Sequence, residues 1–81
     1  QARQLTGEDL TRFALKKLRE EVQEFVEDPS AEEAADIREI FEFLCTRLGL
    51  SEASIQAAQI SKRVTRGPFD MGYVLEWVED S

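Results

Sequence analysis

Four carboxylates stand where they could act together. Glu21 and Glu24 are three residues apart, and so are Glu33 and Asp36. On a helix that spacing puts both members of a pair on one face, a turn apart. Two such pairs brought face to face make an oxygen-lined site for a divalent cation. Mg²⁺ prefers oxygen ligands and keeps several waters, so it can be shared between carboxylates and the phosphates of a bound molecule. The chain has no histidine, which excludes Ser-His and Cys-His dyads and every His-ligated metal. An all-oxygen donor set therefore predicts Mg²⁺, or Mn²⁺, over zinc.

The elements that must position these acids are readable from periodicity and punctuation. Leu10, Ala14, Leu18, Val22 and Phe25 recur at helical spacing, with Thr6 as candidate N-cap and Glu8 and Asp9 in the first turn. This predicts a first helix over residues 7–27, stopped by Asp28-Pro29-Ser30. Ser30 reads as the N-cap of a second helix, with Glu33 placed to close a capping box. Ile37, Ile40, Phe41, Leu44 and Leu48 form its stripe, and Gly49 ends it in a left-handed cap. So short a break makes the two helices antiparallel neighbours. Ser51 opens a third helix carrying Ile55, Ala58, Ile60 and Val64, which ends at Arg66-Gly67-Pro68. The tail from Phe69 to Ser81 holds Phe69, Met71, Tyr73, Val74, Leu75, Trp77 and Val78. That is too apolar to remain solvated and predicts packing on the bundle or on a partner subunit.

Residues spaced by about 100° around each helix locate the acids. Glu21 falls between the directions of Ala14 and Leu10, inside the apolar stripe, and Glu24 lies at its border beside Phe13 and Lys17. Glu33 falls between Leu44 and Ile40, near the middle of the second stripe, with Asp36 just outside Ile40 towards Phe43. Glu20, Glu27, Glu39 and Glu42 point away and read as solvated acids. An unpaired carboxylate on a buried face costs several kcal/mol, against the ~1 kcal/mol that a cap returns. A cation resolves that conflict. The plainer readings are that Glu33 only caps, and that Glu21 and Glu24 only pair with Lys17.

Composition narrows the function classes. At 81 residues the chain is one small domain, residues 1–81. Alone, a domain of this size hides only about 60% of its unfolded surface, which predicts self-association. The single Cys45 has no intrachain partner, in keeping with a reducing, cytoplasmic setting. A formal charge of −7 argues against DNA or RNA as partner. No apolar run approaches the roughly 20 residues of a membrane span, and no signal peptide opens the chain.

Glu20-Glu21-x-x-Glu24 followed by Glu33-x-x-Asp36 resembles the signature of the MazG-like all-α nucleoside triphosphate pyrophosphohydrolases, and the flanking residues agree. The phosphoribosyl-ATP pyrophosphohydrolase-like branch is the best match. Its third helix ends in a basic segment followed by Arg-Gly-x-Phe and a glycine, here Lys62, Arg63, Arg66, Gly67, Phe69 and Gly72. The similarity covers roughly residues 8–76. It departs from the branch in its minimal loop between the acidic motifs and in lacking a counterpart to the branch's basic opening segment, which would supply positive charge near the phosphates.

The resemblance implies an all-α fold of three helices plus an apolar C-terminal tail per protomer, completing four-helix bundles in a dimer or a tetramer of dimers. It implies cleavage of a nucleotide between its α- and β-phosphates, giving a nucleoside monophosphate and pyrophosphate. Glu21, Glu24, Glu33 and Asp36 would be both metal ligands and catalytic groups. Lys62 and Arg66, one turn apart, would bind phosphates, although the same residues also suit a helix C-terminus on dipole grounds alone. Phosphoribosyl-ATP hydrolysis in histidine biosynthesis is the alternative substrate assignment. A degenerate dimerisation or regulatory module is the alternative class, and such a module would not need all four acids.

Overall fold

A computed structural model describes residues 4–69, whose regular structure is helix alone, without a strand. The helices are α1 (Gly7–Glu27), α2 (Ala31–Arg47) and α3 (Glu52–Arg66). The chain divides into two compact units, Gln1–Gly49 and Leu50–Ser81. No helix among the described residues is long and apolar enough to cross a membrane. The tail beyond Phe69, expected from its composition to pack, lies outside the described residues.

In the first unit α1 and α2 form an antiparallel hairpin around a three-residue break. Thr6 is extended at the N-cap position as expected, but its hydroxyl makes no capping bond. Entry into the helix falls instead to Gly7, whose φ of 61° suits a residue without a Cβ. At the other end the Asp28 N–H donates to Glu24 O at 2.8 Å, and Pro29 holds Asp28 out of helical geometry. Ser30 restarts the chain: its Oγ accepts the Glu33 N–H at 3.2 Å. α2 closes with the Leu48 N–H on Leu44 O and the Gly49 N–H on Thr46 O, with Gly49 at φ 76°. This is the expected left-handed cap.

The hairpin is clasped at its open end by one side chain. Arg47, in the last turn of α2, donates from Nη2 to Gly7 O at 2.7 Å and from Nε to Thr11 Oγ1 at 2.6 Å. Its guanidinium also lies over the Phe43 ring, 6.0 Å from the centroid. Start of α1 and end of α2 are thereby fixed side by side.

Burial along the hairpin is shallow. Among the described residues only Ala14, Leu44 and Cys45 are buried apolar side chains, and Glu21 is buried with them. Leu10, Leu18, Phe25, Ile37 and Ile40 are half-buried. Val22, Phe41 and Leu48, assigned to the stripes by periodicity, stay exposed. On α1 the apolar arc is wider than α2 covers, so Leu15, Val22 and Val26 form an uncovered edge.

The second unit contains α3. Ser51 caps it through the Ser54 N–H at 3.1 Å, and Ser54 Oγ donates back to Ser51 O at 3.0 Å. Gly67 terminates it, its φ of 82° and ψ of 156° lying in a region reserved for glycine. α3 has no buried residue: Ile55 is half-buried, and Val64 is 81% exposed.

Candidate functional site

The three-residue break decides which acids meet. Folding α2 back along α1 sets the fourth turn of α1 against the first turns of α2, and with them Glu21 against Glu33 and Asp36. One carboxylate oxygen from each of these three lies within 4.8 Å of the others. Glu21 is the most enclosed, only 7% exposed, whereas Glu33 is half-buried and Asp36 exposed. The site thus has a buried floor and an open side.

Two of its oxygens are orphaned. Glu21 Oε1 and Glu33 Oε1 are both buried without a hydrogen-bond partner. A buried polar atom left unpaired costs about 1–3 kcal/mol, more when it carries charge. The capping role of Glu33 does not relieve this, because the cap uses its backbone N–H and leaves Oε1 unmatched. The ion pair of Glu21 does not either: Lys17 Nζ is 3.5 Å from Oε2, on the other side of the carboxylate.

Like-charge crowding shows at Glu33, whose pKa is raised above the usual carboxylate value. Burial is the largest cause, followed by the close-lying carboxylate of Glu24, then by the charges of Glu21 and Asp36. Glu24 itself is exposed and falls outside the three-oxygen set. Of the four acids marked by spacing, three converge and the fourth abuts one of them.

Lys17 balances the other edge. It pairs with Glu20 at 3.4 Å and Glu21 at 3.5 Å, and these contacts, Glu20 first, raise its pKa above 10.5. Glu20, read from its helical direction as a solvated acid, is half-buried and is held by this pair and by Lys16 at 3.8 Å. Lys17 was visible only as a possible partner four residues before Glu21. Lys62 and Arg66 sit near the end of α3, one exposed and the other half-buried, within the second unit.

The donor set fits a hard divalent cation. It is made of oxygen only, is crowded enough to repel itself, and presents two unsatisfied oxygens. Oxygens bound at about 2.1 Å to one octahedral Mg²⁺ lie about 3.0 Å apart when adjacent and about 4.2 Å apart when opposite, so three oxygens spread over up to 4.8 Å must draw together through side-chain movement to share one ion.

Beside this cluster, on the side of the clasp, is an open groove of about 310 Å³. Leu10, Phe13 and Ala14 form its α1 wall, with Ile40 and Phe43 opposite on α2. Lys17 and Glu39 are its charged residues. Helical direction placed Glu39 on the solvated face. It is exposed, but it also edges the groove, because the rotation of α2 about its axis is set by packing that direction alone does not specify.

Fold and site together define a small all-helical protein with an acidic, cation-compatible cluster on a helical hairpin. No family model, curated protein or solved structure matches the chain.

Proposed function

We propose that this chain is a Mg²⁺-dependent nucleotide pyrophosphohydrolase of the MazG-like all-α type, releasing a nucleoside monophosphate and pyrophosphate. The observation that carries the reading is the convergence of Glu21, Glu33 and Asp36 with two buried, unpartnered oxygens. A site built only for stability would not leave both unmatched.

In this reading Glu21, Glu33 and Asp36 hold the cation, which supplies charge neutralisation at phosphate oxygens and a lowered pKa for bound water. The buried floor at Glu21 keeps bulk water from one side of the site, and Asp36 faces the side from which substrate enters. Glu24 lies beside Glu33 but outside the ligand set, which suits it to orient the attacking water and accept its proton. Lys17, 3.5 Å from Glu21 Oε2, directs that carboxylate. The sequence resemblance assigns phosphate contacts to Lys62 and Arg66 on α3.

Self-association belongs to the same proposal. Three buried apolar side chains make a small core among the described residues, and the Leu15, Val22 and Val26 edge is available for a second protomer to cover. A dimer or tetramer would complete the bundle.

The test is pyrophosphate release from a panel of nucleotides with Mg²⁺. Release by the wild type, lost in Glu33→Gln, is the expected result. Absence of release from every nucleotide, together with no stabilisation by Mg²⁺ or Mn²⁺, would overturn the assignment in favour of a dimerisation module.

A further inference from the structure

We infer that the groove between α1 and α2 is the subsite for the nucleotide's base, with Phe13 and Phe43 offering ring faces and Glu39 accepting from a base amino group. This rests on the proposed pyrophosphohydrolase reading and adds to it the residues that select the substrate.

Four observations support it. The groove adjoins the acidic cluster at Lys17, which lines the groove and pairs with Glu21 at 3.5 Å. Phe13 and Glu21 are eight residues apart on α1, about 12 Å along the axis. That is a span on the scale of a nucleotide, so a molecule with its phosphates at the acids lays its base between the phenylalanines.

Size and chemistry agree. A volume of about 310 Å³ is at the small end of ligand sites, which are mostly apolar with a few placed polar groups. Here the polar groups are one cation and one anion. Phe13 is 50% exposed and Phe43 is 40% exposed, a large apolar area for rings at a groove mouth. Base–aromatic stacking recovers such area and tolerates any base.

Glu39 then discriminates. An ionised carboxylate only accepts hydrogen bonds, so it favours a base edge bearing an amino group over one bearing a carbonyl. A second copy, whose helix ridges would pack into the same groove, is the competing occupant that the experiment separates.

The experiment is an NMR titration with Mg²⁺ and non-hydrolysable α,β-methylene analogues of ATP, CTP and UTP, beside inorganic tripolyphosphate. Tripolyphosphate should shift only resonances around Glu21, Glu33 and Asp36. The ATP and CTP analogues should also shift the Phe13 and Phe43 rings and bind at least about tenfold tighter, the UTP analogue less tightly than the CTP one. Phe13→Leu and Phe43→Leu, which keep apolar bulk but remove the ring, should weaken analogue binding about tenfold, within the range for lost stacking. They should leave tripolyphosphate affinity unchanged.

If tripolyphosphate and all analogues bind equally at the acids with the rings unmoved, the base subsite fails while the pyrophosphohydrolase reading stands. If neither perturbs the acids, that reading fails and takes the subsite with it. Equal affinity for the CTP and UTP analogues removes Glu39 from recognition. Sedimentation that changes in the leucine variants while analogue binding does not would assign the groove to a second copy instead.

Discussion

The two ends of the α1–α2 hairpin solve opposite problems. At the open end Arg47 finds a carbonyl, a hydroxyl and an aromatic face. At the closed end Glu21 and Glu33 keep buried oxygens that nothing satisfies, and Asp36 adds a third negative charge. One end is finished as a structure; the other keeps two buried oxygens without a partner. In a domain with so few buried apolar side chains, leaving the second end unfinished is a real cost. The hairpin tolerates it because its register is fixed elsewhere, by the clasp at one end and by Pro29 and Ser30 at the turn.

This contrast can be broken from either side, and the largest effect is expected at the acids. Glu33→Gln should lower pyrophosphate release at least about 100-fold, as for loss of a group acting on transition-state charge. It should also abolish any rise in Tm on adding Mg²⁺ or Mn²⁺. Activity retained with the metal response intact would remove Glu33 from the site.

Next in size is the clasp. Arg47→Ala loses two hydrogen bonds and the ring contact at an exposed position, so a destabilisation of about 1–2 kcal/mol is expected. In a domain of this size that lowers Tm by about 4–8 °C per kcal/mol. An unchanged Tm in thermal melts would show that the clasp does not hold the hairpin.

Glu21→Leu should do the reverse in metal-free protein. Replacing an orphaned buried carboxylate by an apolar side chain should raise stability by about 1 kcal/mol, while removing cation binding. A metal-free variant less stable than wild type would mean that the Lys17 ion pair outweighs the unpaired oxygen.

The smallest expected effect is on pH dependence. The pKa of Glu33 is higher in the folded chain than in the unfolded one, so between those two values the folded state binds the extra proton. Metal-free stability contributed through this group is therefore greatest below the ordinary carboxylate value of 4.5. It is lost as pH rises through the raised folded value. Denaturant titrations across that window should show a decline in wild type that is flattened in Glu33→Gln. Parallel profiles would indicate that the crowding at Glu33 does not reach stability.

Much of this hairpin was legible in sequence because its signals are local. Pro29, Gly49 and Gly67 act through their own backbone geometry, and Ser30 and Ser51 through hydroxyls that reach only three residues on, so the span 7–27 and the ends near Arg47 and Arg66 follow from punctuation. Glu21 and Glu33 were legible for a related reason: a carboxylate inside an apolar stripe conflicts with its neighbours on the same helix. What periodicity cannot supply is the partner of a face. Val22, Phe41 and Leu48 lie on stripes yet remain exposed, because α2 covers only part of the arc that α1 presents. Arg47 reaches residues 36 and 40 positions away, a contact with no local trace. Glu24 and Asp36 looked equivalent by spacing, but the rotation of α2 put Asp36 in the cluster and left Glu24 beside it. The groove is invisible in sequence for the same reason, since Phe13 and Phe43 become related only once the helices pack.

The central claim, that the closed end of the hairpin is a cation site, is tested most directly by Mn²⁺ titration followed by residue-resolved NMR line broadening. Bound at Glu21, Glu33 and Asp36, substoichiometric Mn²⁺ should broaden those residues first and spare the Arg47 end, and excess Mg²⁺ should restore the signals. Broadening spread evenly over the surface acids, or centred on the solvated Glu27 and Glu42, would contradict the account.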